Sequence, residues 1–385
     1  MDILNKKIGI VGGGQLGKMM ILEAKRLGFY VAVLDPDETC PAHSICDHHI
    51  IADLNDPQGY IDLANQTDVI TYEWENINKT ALENLEKKGH LIYHPISTLE
   101  SIQDKYTQNC NLKANDIPVP RFKQVTSTDE IRETGKKENF GYPLMLKTTT
   151  GGYDGKGTAL IKTEADIESA FKQLGSGIKG MMVEEFVDFD IEISVIACIN
   201  TKGEKVIYPI AENTHENSIL DTTIVPARIS KATTEKAMNI GNKVMSAFNF
   251  IGTFCIEMFV TIQGDVFVNE IAPRPHNSGH YTIEGCFANQ FENHIRAIVG
   301  LPLGDVSLKC PTVMINLLGQ NDGNAKLLGL DEAYKDKNTH VHVYGKDKSK
   351  PERKMGHFTV VGDTIEDTLQ RANKLKKILR FVGEQ

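Results

Sequence analysis

A short apolar strand, Lys6–Val11, runs into Gly12-Gly13-Gly14-Gln15-Leu16-Gly17. A helical pattern of Leu16, Met19, Met20, Leu22, Ala24 and Leu27 follows, closed by Gly28. Tyr30–Leu34 reads as a second strand and ends at Asp35. Strand, GxGxxG turn, helix, returning strand and terminal acid make the dinucleotide-binding fingerprint in its expected context. This constrains the first part of the chain to an α/β unit with a parallel sheet. The glycines permit close backbone approach, and the helix N-terminus offers unpaired N–H groups and a positive dipole end to a phosphate. The same turn would also serve as a bare strand-to-helix connection. A further cycle supplies Asp47–Ala52, a helix Pro57–Asn65 and the strand Val69–Tyr72. Glu73-Trp74-Glu75-Asn76-Ile77, a helix to Lys88 and the strand Leu91–Tyr93 come next. Acids at the C-terminal end of a parallel strand point into the crevice where such sheets bind ligands. Glu73 is therefore a substrate-contact candidate, although either glutamate could instead begin the next helix, where negative charge is favoured.

From about Ile96 the pattern changes. Ser97–Asn115 reads as one helix carrying Lys105, and Ile117-Pro118-Val119-Pro120 as an extended linker, which sets a first boundary. Tyr142–Lys147 is a strand leading into Thr148–Gly157, TTTGGYDGKG. Four glycines in that loop cannot make a core; they suit a flap whose bare backbone closes over phosphates. Lys147 stands at the strand end, placed to neutralise phosphate oxygens, with Lys156, Tyr153 and Asp154 in the flap. The Gly-Lys-Ser/Thr ending of a Walker A loop is missing. Ile178–Val187 is a strand, interrupted near Asp188–Asp190, and a second strand follows with Glu192 and Ser194 on one face. Tyr208–Asn213 is a strand ending in a polar turn, Thr214-His215-Glu216-Asn217. Thr234–Phe250 is an amphipathic helix.

Phe254–Ile262 and Val266–Ile271 are β-branched and aromatic runs separated by Gln263-Gly264-Asp265, a hairpin signal. A turn centred on Gln263-Gly264 sets Glu257 opposite Glu270. A three-residue turn would shift the register by one and offset the pair. Two facing carboxylates repel unless a cation sits between them, and a hard divalent ion takes oxygen ligands of this kind. Two unrelated glutamates on a solvated sheet face are the alternative. The proline-broken Ala-Pro-Arg-Pro-His-Asn-Ser-Gly-His segment after Glu270 puts Arg274, His276 and Asn277 beside the pair. The whole reads as a metal–phosphate site.

The third part starts near Leu303, with strands Pro311–Leu318, Thr339–Tyr344 and Thr359–Gly362 and a helix Thr364–Lys377. Lys346, Lys348, Lys350, Arg353 and Lys354 cluster between the last two strands, either as a solvated hairpin tip or as a phosphate grip. That cluster contrasts with a formal net charge of −9, which argues against a general nucleic-acid binder. Seven cysteines without CxxC spacing argue against a disulfide scaffold or zinc site. With no apolar signal core at the start and no apolar run of membrane-spanning length, a cytoplasmic protein without membrane contact is expected.

The order of these pieces resembles ATP-grasp ligases. The stretches GIVGGGQLGKM, YEWENI, GGYDGKG, EEFVDFDIEIS, NEIAPRPHNSGHYTIEG and RKMGH, from residue 8 to 357, resemble the N5-carboxyaminoimidazole ribonucleotide synthetase family. The resemblance implies a Rossmann-like N-terminal domain (1–105) and an ATP-grasp domain with two antiparallel sheets (106–302, flap subdomain about 118–188). A small β-rich C-terminal domain (303–385) completes it, α/β within an α+β whole. It implies ATP contacts at Lys105, Lys147, Gly152, Tyr153, Asp154, Gly155, Lys156, Gly157, Thr158, Glu184, Glu185, Phe186, Val187, Glu192, His215, Asn269 and Glu270. Lys105 stands where many relatives have arginine. Mg2+ would be held by Glu257 and Glu270. The ribonucleotide would contact Gln15, Leu16, Glu73, Tyr153, Asp154, Asn277, Lys346, Arg353 and Lys354. Arg274 would stabilise the bicarbonate-derived anion and Asp154 would orient the amine, with Lys346 the third residue assigned to catalysis. The implied reaction is ATP-dependent carboxylation of 5-aminoimidazole ribonucleotide by bicarbonate through carboxyphosphate, in purine biosynthesis, by a homodimer. Two alternatives share some of these features. A formate-dependent glycinamide ribonucleotide transformylase or biotin-carboxylase-like enzyme has the same lysine, flap and carboxylates. A nicotinamide-dependent dehydrogenase explains Gly12–Gly17 and Asp35 but not the flap or the glutamate pair.

Overall fold

The computed structural model describes residues 5–385 except 153, 154 and 179. Lys7–Val11, Tyr30–Leu34, His48–Ile50, Val69–Tyr72 and Leu91–Tyr93 form a parallel sheet in the spatial order third, second, first, fourth, fifth. The strand order reverses between Lys7–Val11 and Val69–Tyr72, so the crevice beyond their C-terminal ends is where such a sheet takes a ligand. Helix Gln15–Arg26 covers one face through Leu16, Met19, Met20 and Ile21, and helix Pro57–Gln66 the other through Tyr60 and Leu63. The stretch expected as one helix from Ser97 is two, Ile96–Gln103 and Lys105–Ala114. Asp104 breaks it: its backbone is extended and its carboxylate accepts the Thr107 N–H, capping the second helix. Lys105 thereby sits in the first turn of a helix rather than in mid-helix.

Phe122–Val125, Met181–Glu185, Leu144–Thr148 and Thr158–Ile161 make a four-stranded antiparallel sheet. The larger antiparallel sheet has nine strands. Its main path is Val266–Ala272, Gly252–Thr261, Phe189–Ile199, Ala211–Glu216, Ile219–Val225, Thr312–Leu318, Lys354–Val361 and Thr339–Val343, with Lys205–Ile207 on the edge of Phe189–Ile199. It runs without interruption from the middle of the chain into its last third. Helix Lys231–Ala247, N-capped by Ser230, lays Ala237, Ile240, Val244 and Met245 on this sheet against Ile193, Val195, Ile256 and Val268. Fully burying a Val, Ile or Met side chain contributes about 1.5–3 kcal/mol. Helix Gln290–Val299 inserts Phe291, Ile295 and Ile298 into the core of the parallel-sheet unit, which locks that unit onto the large sheet.

The strand expected over Thr359–Gly362 begins at Lys354, so the C-terminal part of the cationic segment is ladder rather than loop. Gly323–Leu328, Lys348–Ser349 and Arg380–Glu384 form a small sheet of their own that the sequence reading did not anticipate. The strand expected to end at Asn213 continues to Glu216, so His215 is a ladder residue and the turn moves to Asn217-Ser218.

Candidate active site

The hairpin of Gly252–Thr261 and Val266–Ala272 pairs Glu257 with Glu270, by a route different from the expected one. The loop holds three residues: Thr261 N donates to Asp265 O at 2.9 Å, and Gly264, at φ +77°, donates back to Thr261 O at 2.8 Å. This shifts the register by one, pairing Val260 with Val266 and Met258 with Val268. A β-bulge at Asn269 then restores the original count. The N–H of Val268, next to the bulge, donates to Pro118 O, in the proline-containing segment before strand Phe122–Val125, at 2.9 Å.

Each carboxylate has a nitrogen partner. Glu270 is paired with Lys105 Nζ, and Glu257 Oε1 lies 3.2 Å from His276 Nε2. Burial and the charge of Glu270 push the Glu257 carboxyl up to about 7. His276 goes the opposite way: burial, reinforced by Arg274 and Lys354, holds it well below its usual value. Ser278 N–H points at His276 Nδ1, which fixes the neutral tautomer with its proton on Nε2, facing Glu257. Lys147 Nζ bridges Glu184 Oε2 at 2.6 Å and Asn269 Oδ1 at 3.1 Å, and Asn109 donates to the other Glu184 oxygen. Both members of the Lys147–Glu184 pair are buried, on neighbouring strands of the four-stranded sheet. On the large sheet His215 Nδ1 lies 2.9 Å from Glu192 Oε2, and that carboxylate raises the imidazole's pKa although burial alone would lower it.

These groups line one cavity of about 1180 Å³. Of the residues singled out from sequence, Gln15, Leu16, Glu73, Lys105, Lys147, Gly155, Lys156, Thr158, Glu184, Glu185, Phe186, Val187, Glu192 and His215 line it. Glu257, Asn269, Glu270, Arg274, Asn277, Lys346, Arg353 and Lys354 do so as well. Gly152 opens instead on a small adjoining cavity beside Lys105 and Glu270. Gly157 packs against Gly152 and Thr148, away from the cavity wall. Tyr153 and Asp154 lie outside the described residues. At the cationic end Lys346 Nζ donates to Gln15 Oε1 at 3.0 Å, and burial, with repulsion from Arg353 and Lys354, pushes its ammonium down to about 8. Asn277 and Asn316 exchange two side-chain hydrogen bonds.

Glu75 is the lining residue that sequence reasoning passed over in favour of Glu73. It accepts from Arg274 Nε at 2.6 Å and Nη2 at 3.3 Å. Burial alone would raise Glu75, but the Arg274 charge and hydrogen bonds take it below the usual carboxylate range. The pattern carried a usable signal in the Glu-x-Glu spacing, which puts the two acids on the same side of an extended segment. Met145 and Phe259 were passed over as well. Met145 lies two residues before Lys147 and so faces the cavity with it.

The glycine turn has a different occupant from the expected phosphate. Glu73 accepts the N–H groups of Gly14 and Gly17, and a Cβ built on Gly12 or Gly14 would meet the Glu73 side chain at 2.5 Å. Asp35 accepts the Gly13 N–H at 2.7 Å. Two N–H groups at the helix start are thus taken by Glu73, and the close approach that Gly12 and Gly14 permit is to that side chain. Glu73 and Asp35 thus occupy part of the turn that the dehydrogenase alternative needed for its dinucleotide.

Among the described residues no set of three or more His, Cys, Asp or Glu converges as a metal site, and no helix is long and apolar enough to cross a membrane.

The fold and cavity define an ATP-grasp class of protein: residues 110–291 match the family model described as ATP-grasp domain. Residues 5–103 match the ribonucleotide synthetase preATP-grasp domain, and 312–371 the phosphoribosylaminoimidazole carboxylase C-terminal domain. The chain is 41% identical over 364 residues to the N5-carboxyaminoimidazole ribonucleotide synthase of Bacillus subtilis (strain 168), covering 94% of this chain and 93% of that one. The crystal structure of N5-carboxyaminoimidazole ribonucleotide synthetase from Thermotoga maritima superposes with a TM-score of 0.89 at 46% identity, covering 98% and 100% of the two chains. The Aspergillus clavatus enzyme, solved in complex with ADP and 5-aminoimidazole ribonucleotide, gives a TM-score of 0.89 at 33% identity over 97% and 98%. The chain belongs to the N5-carboxyaminoimidazole ribonucleotide synthase family.

Proposed function

We infer that this chain is an ATP-dependent carbon–nitrogen ligase that carboxylates 5-aminoimidazole ribonucleotide to N5-carboxyaminoimidazole ribonucleotide in purine biosynthesis. The observation that carries the reading is the single cavity with two chemically distinct ends and an acid pair and a guanidinium between them. One end offers Lys147, Glu192 and His215 with the apolar surfaces of Met145, Phe186 and Phe259, suited to a nucleoside triphosphate. The other offers Gln15, Lys346, Arg353 and Lys354, suited to a sugar phosphate.

Bicarbonate is the carbon source in this reading. One of its oxygens attacks the γ-phosphorus of ATP, the bond to the β-phosphate oxygen breaks, and ADP leaves carboxyphosphate behind. Lys105 and Lys147 spread the charge that develops on the phosphoryl oxygens. Arg274, held by Glu75, faces the bicarbonate-derived anion, and neutral His276 keeps its Nε2 proton toward Glu257. The exocyclic amine of the ribonucleotide then takes the carboxyl group and loses a proton, either displacing phosphate from carboxyphosphate or adding to the CO2 that carboxyphosphate releases with phosphate, with Asp154 assigned to orient the amine. Carboxyphosphate hydrolyses if water reaches it, so flap closure belongs to the chemistry.

Glu257 and Glu270 fit a divalent ion such as Mg2+. They are hard oxygen donors held opposite each other by the ladder, and burial together with the Glu270 charge raises Glu257. Bound there, the ion would supply charge neutralisation for the triphosphate. The working unit is a homodimer in the cytoplasm; sedimentation of the purified protein checks its size. The deciding experiment follows ADP release from ATP, Mg2+ and bicarbonate with and without the ribonucleotide. Release that needs both supports the reading. Release with glycinamide ribonucleotide and formate instead would transfer it to the transformylases.

A further inference from the structure

The hairpin Ala211–Glu216 and Ile219–Val225 has no assigned part in this reaction beyond His215, yet it touches both ends of the cavity. Its tip is the two-residue turn Asn217-Ser218, with φ of +51° and +64°. Such a turn matches the twist of the flanking strands and is stiff. On one side of the tip lies the flap. A Cβ built on Gly155 would fall 2.4 Å from Ser218 Cβ and 2.6 Å from its Oγ, so only glycine lets the flap come this close. On the other side Asn217 Nδ2 donates to Glu352 Oε1 at 3.4 Å. Glu352, at φ +64°, directly precedes Arg353, and its N–H is tied to Gly319 O at 3.0 Å. The stem repeats this two-sidedness: His215 meets Glu192 at the nucleotide end, while Leu220 O accepts from Asn316, the partner of Asn277 at the ribonucleotide end. Lys376 anchors the stem through Asp221 at 2.6 Å.

We propose that Asn217, Ser218 and Glu352 are positioning residues that latch the nucleotide flap to the phosphate grip, so that seating the ribonucleotide strengthens the hold on ATP. The inference rests on the functional reading above. A ribonucleotide phosphate gripped by Arg353 orders residues 350–353. Glu352 then holds Asn217, and the stiff turn presents Ser218 to the flap. Ordering one loop lowers the cost of ordering the other, which is positive coupling between two ligands and is reciprocal.

All three residues have positive φ, so glycine replaces each without backbone strain and the fold is retained. The wild-type KM for ATP is expected to fall about fivefold or more from subsaturating to saturating ribonucleotide. In Asn217→Gly and in Glu352→Gly that ratio falls to within about twofold of one, while kcat at saturation of both substrates changes less than the ratio does. The double variant is no worse than either single one, because both remove the same contact. A wild-type ratio near one, or variants that keep the wild-type ratio, would overturn the latch. A second readout needs no turnover: in the ligand-free protein, amide exchange at Gly155 and Lys156 is faster in Ser218→Gly, and unchanged exchange also overturns it. A protein whose exchange responds as expected but which releases no ADP with the ribonucleotide separates failure of the functional reading from failure of the latch.

Discussion

Arg274 and Glu75 form a two-point ion pair with both side chains largely buried, Nε to Oε2 at 2.6 Å and Nη2 to Oε1 at 3.3 Å. The Glu75 backbone carbonyl is itself held, accepting from Gln103 Nε2 at 3.0 Å. The guanidinium proposed to face the bicarbonate-derived group is thus held from the segment after Val69–Tyr72, although it is carried on the segment that follows the hairpin. Glu75→Gln keeps the shape and removes the charge. We expect kcat to fall about 100-fold, the scale of a misplaced positioning group, with the KM for ATP little changed. Glu75→Ala, which leaves the buried cation unpaired, should additionally lose about 3 kcal/mol of stability by denaturant titration. A Glu75→Gln enzyme with wild-type kcat would remove this role.

The facing carboxylates make a sharper pair of expectations. Glu270→Ala should abolish ATP turnover, by about three orders of magnitude if the divalent ion is lost with it, and still give a folded protein by circular dichroism. Glu257→Gln should do the same to turnover yet raise the melting temperature of the metal-free protein, because it removes a buried like charge. Chelation of divalent ions should inactivate the wild type. A Glu270→Ala protein with unchanged turnover ends the metal assignment.

Lys346 gives the pH dependence. Its folded value near 8 lies below the ordinary lysine value of 10.5, so the cation is present below pH 8 and is lost as pH rises through it. The substrate phosphate is already fully ionised there, with its second pKa at about 6. The KM for the ribonucleotide should therefore rise about tenfold between roughly pH 7 and pH 9.5, while the KM for ATP does not follow it. Lys346→Arg, whose guanidinium stays charged throughout, should flatten the profile whatever its absolute KM.

Arg353→Ala should raise the KM for the ribonucleotide by about 10- to 100-fold, the scale of one charge-assisted hydrogen bond. A rise confined to ATP would contradict the phosphate-grip role. Arg353 Nη1 donates to Lys348 O at 2.7 Å, so part of the guanidinium is already oriented before any ligand arrives.

Long-period features were legible in the sequence and one-residue features were not. The parallel strands and their helices follow from repeated apolar spacing, and the strands Val69–Tyr72 and Leu91–Tyr93 have the expected bounds. The break at Asp104 was missed because apolar periodicity continues through it, and only the cap marks it. His215 was read as a loop residue because Thr-His-Glu-Asn is polar, yet this part of the strand borders the cavity rather than the core. The glycine turn was read through the ligand such turns commonly hold. Its partner, Glu73, lies 59 residues beyond Gly14, and nothing local announces that contact. Gly323–Leu328 and Arg380–Glu384 alternate too weakly and lie too far apart to be recognised as a pair.

A two-residue turn without a bulge would also have set Glu257 opposite Glu270. In that arrangement strict alternation would turn Asn269 to the far side of the sheet. With a three-residue loop and the extra residue at position 269, two consecutive side chains, Asn269 and Glu270, both reach the cavity, one meeting Lys147 and the other Lys105. Within the fixed chain length between Glu257 and Glu270, an odd loop therefore demands one extra residue on the returning strand: removing Asn269 alone would keep the three-residue loop and the acid pair and forfeit the contact with Lys147.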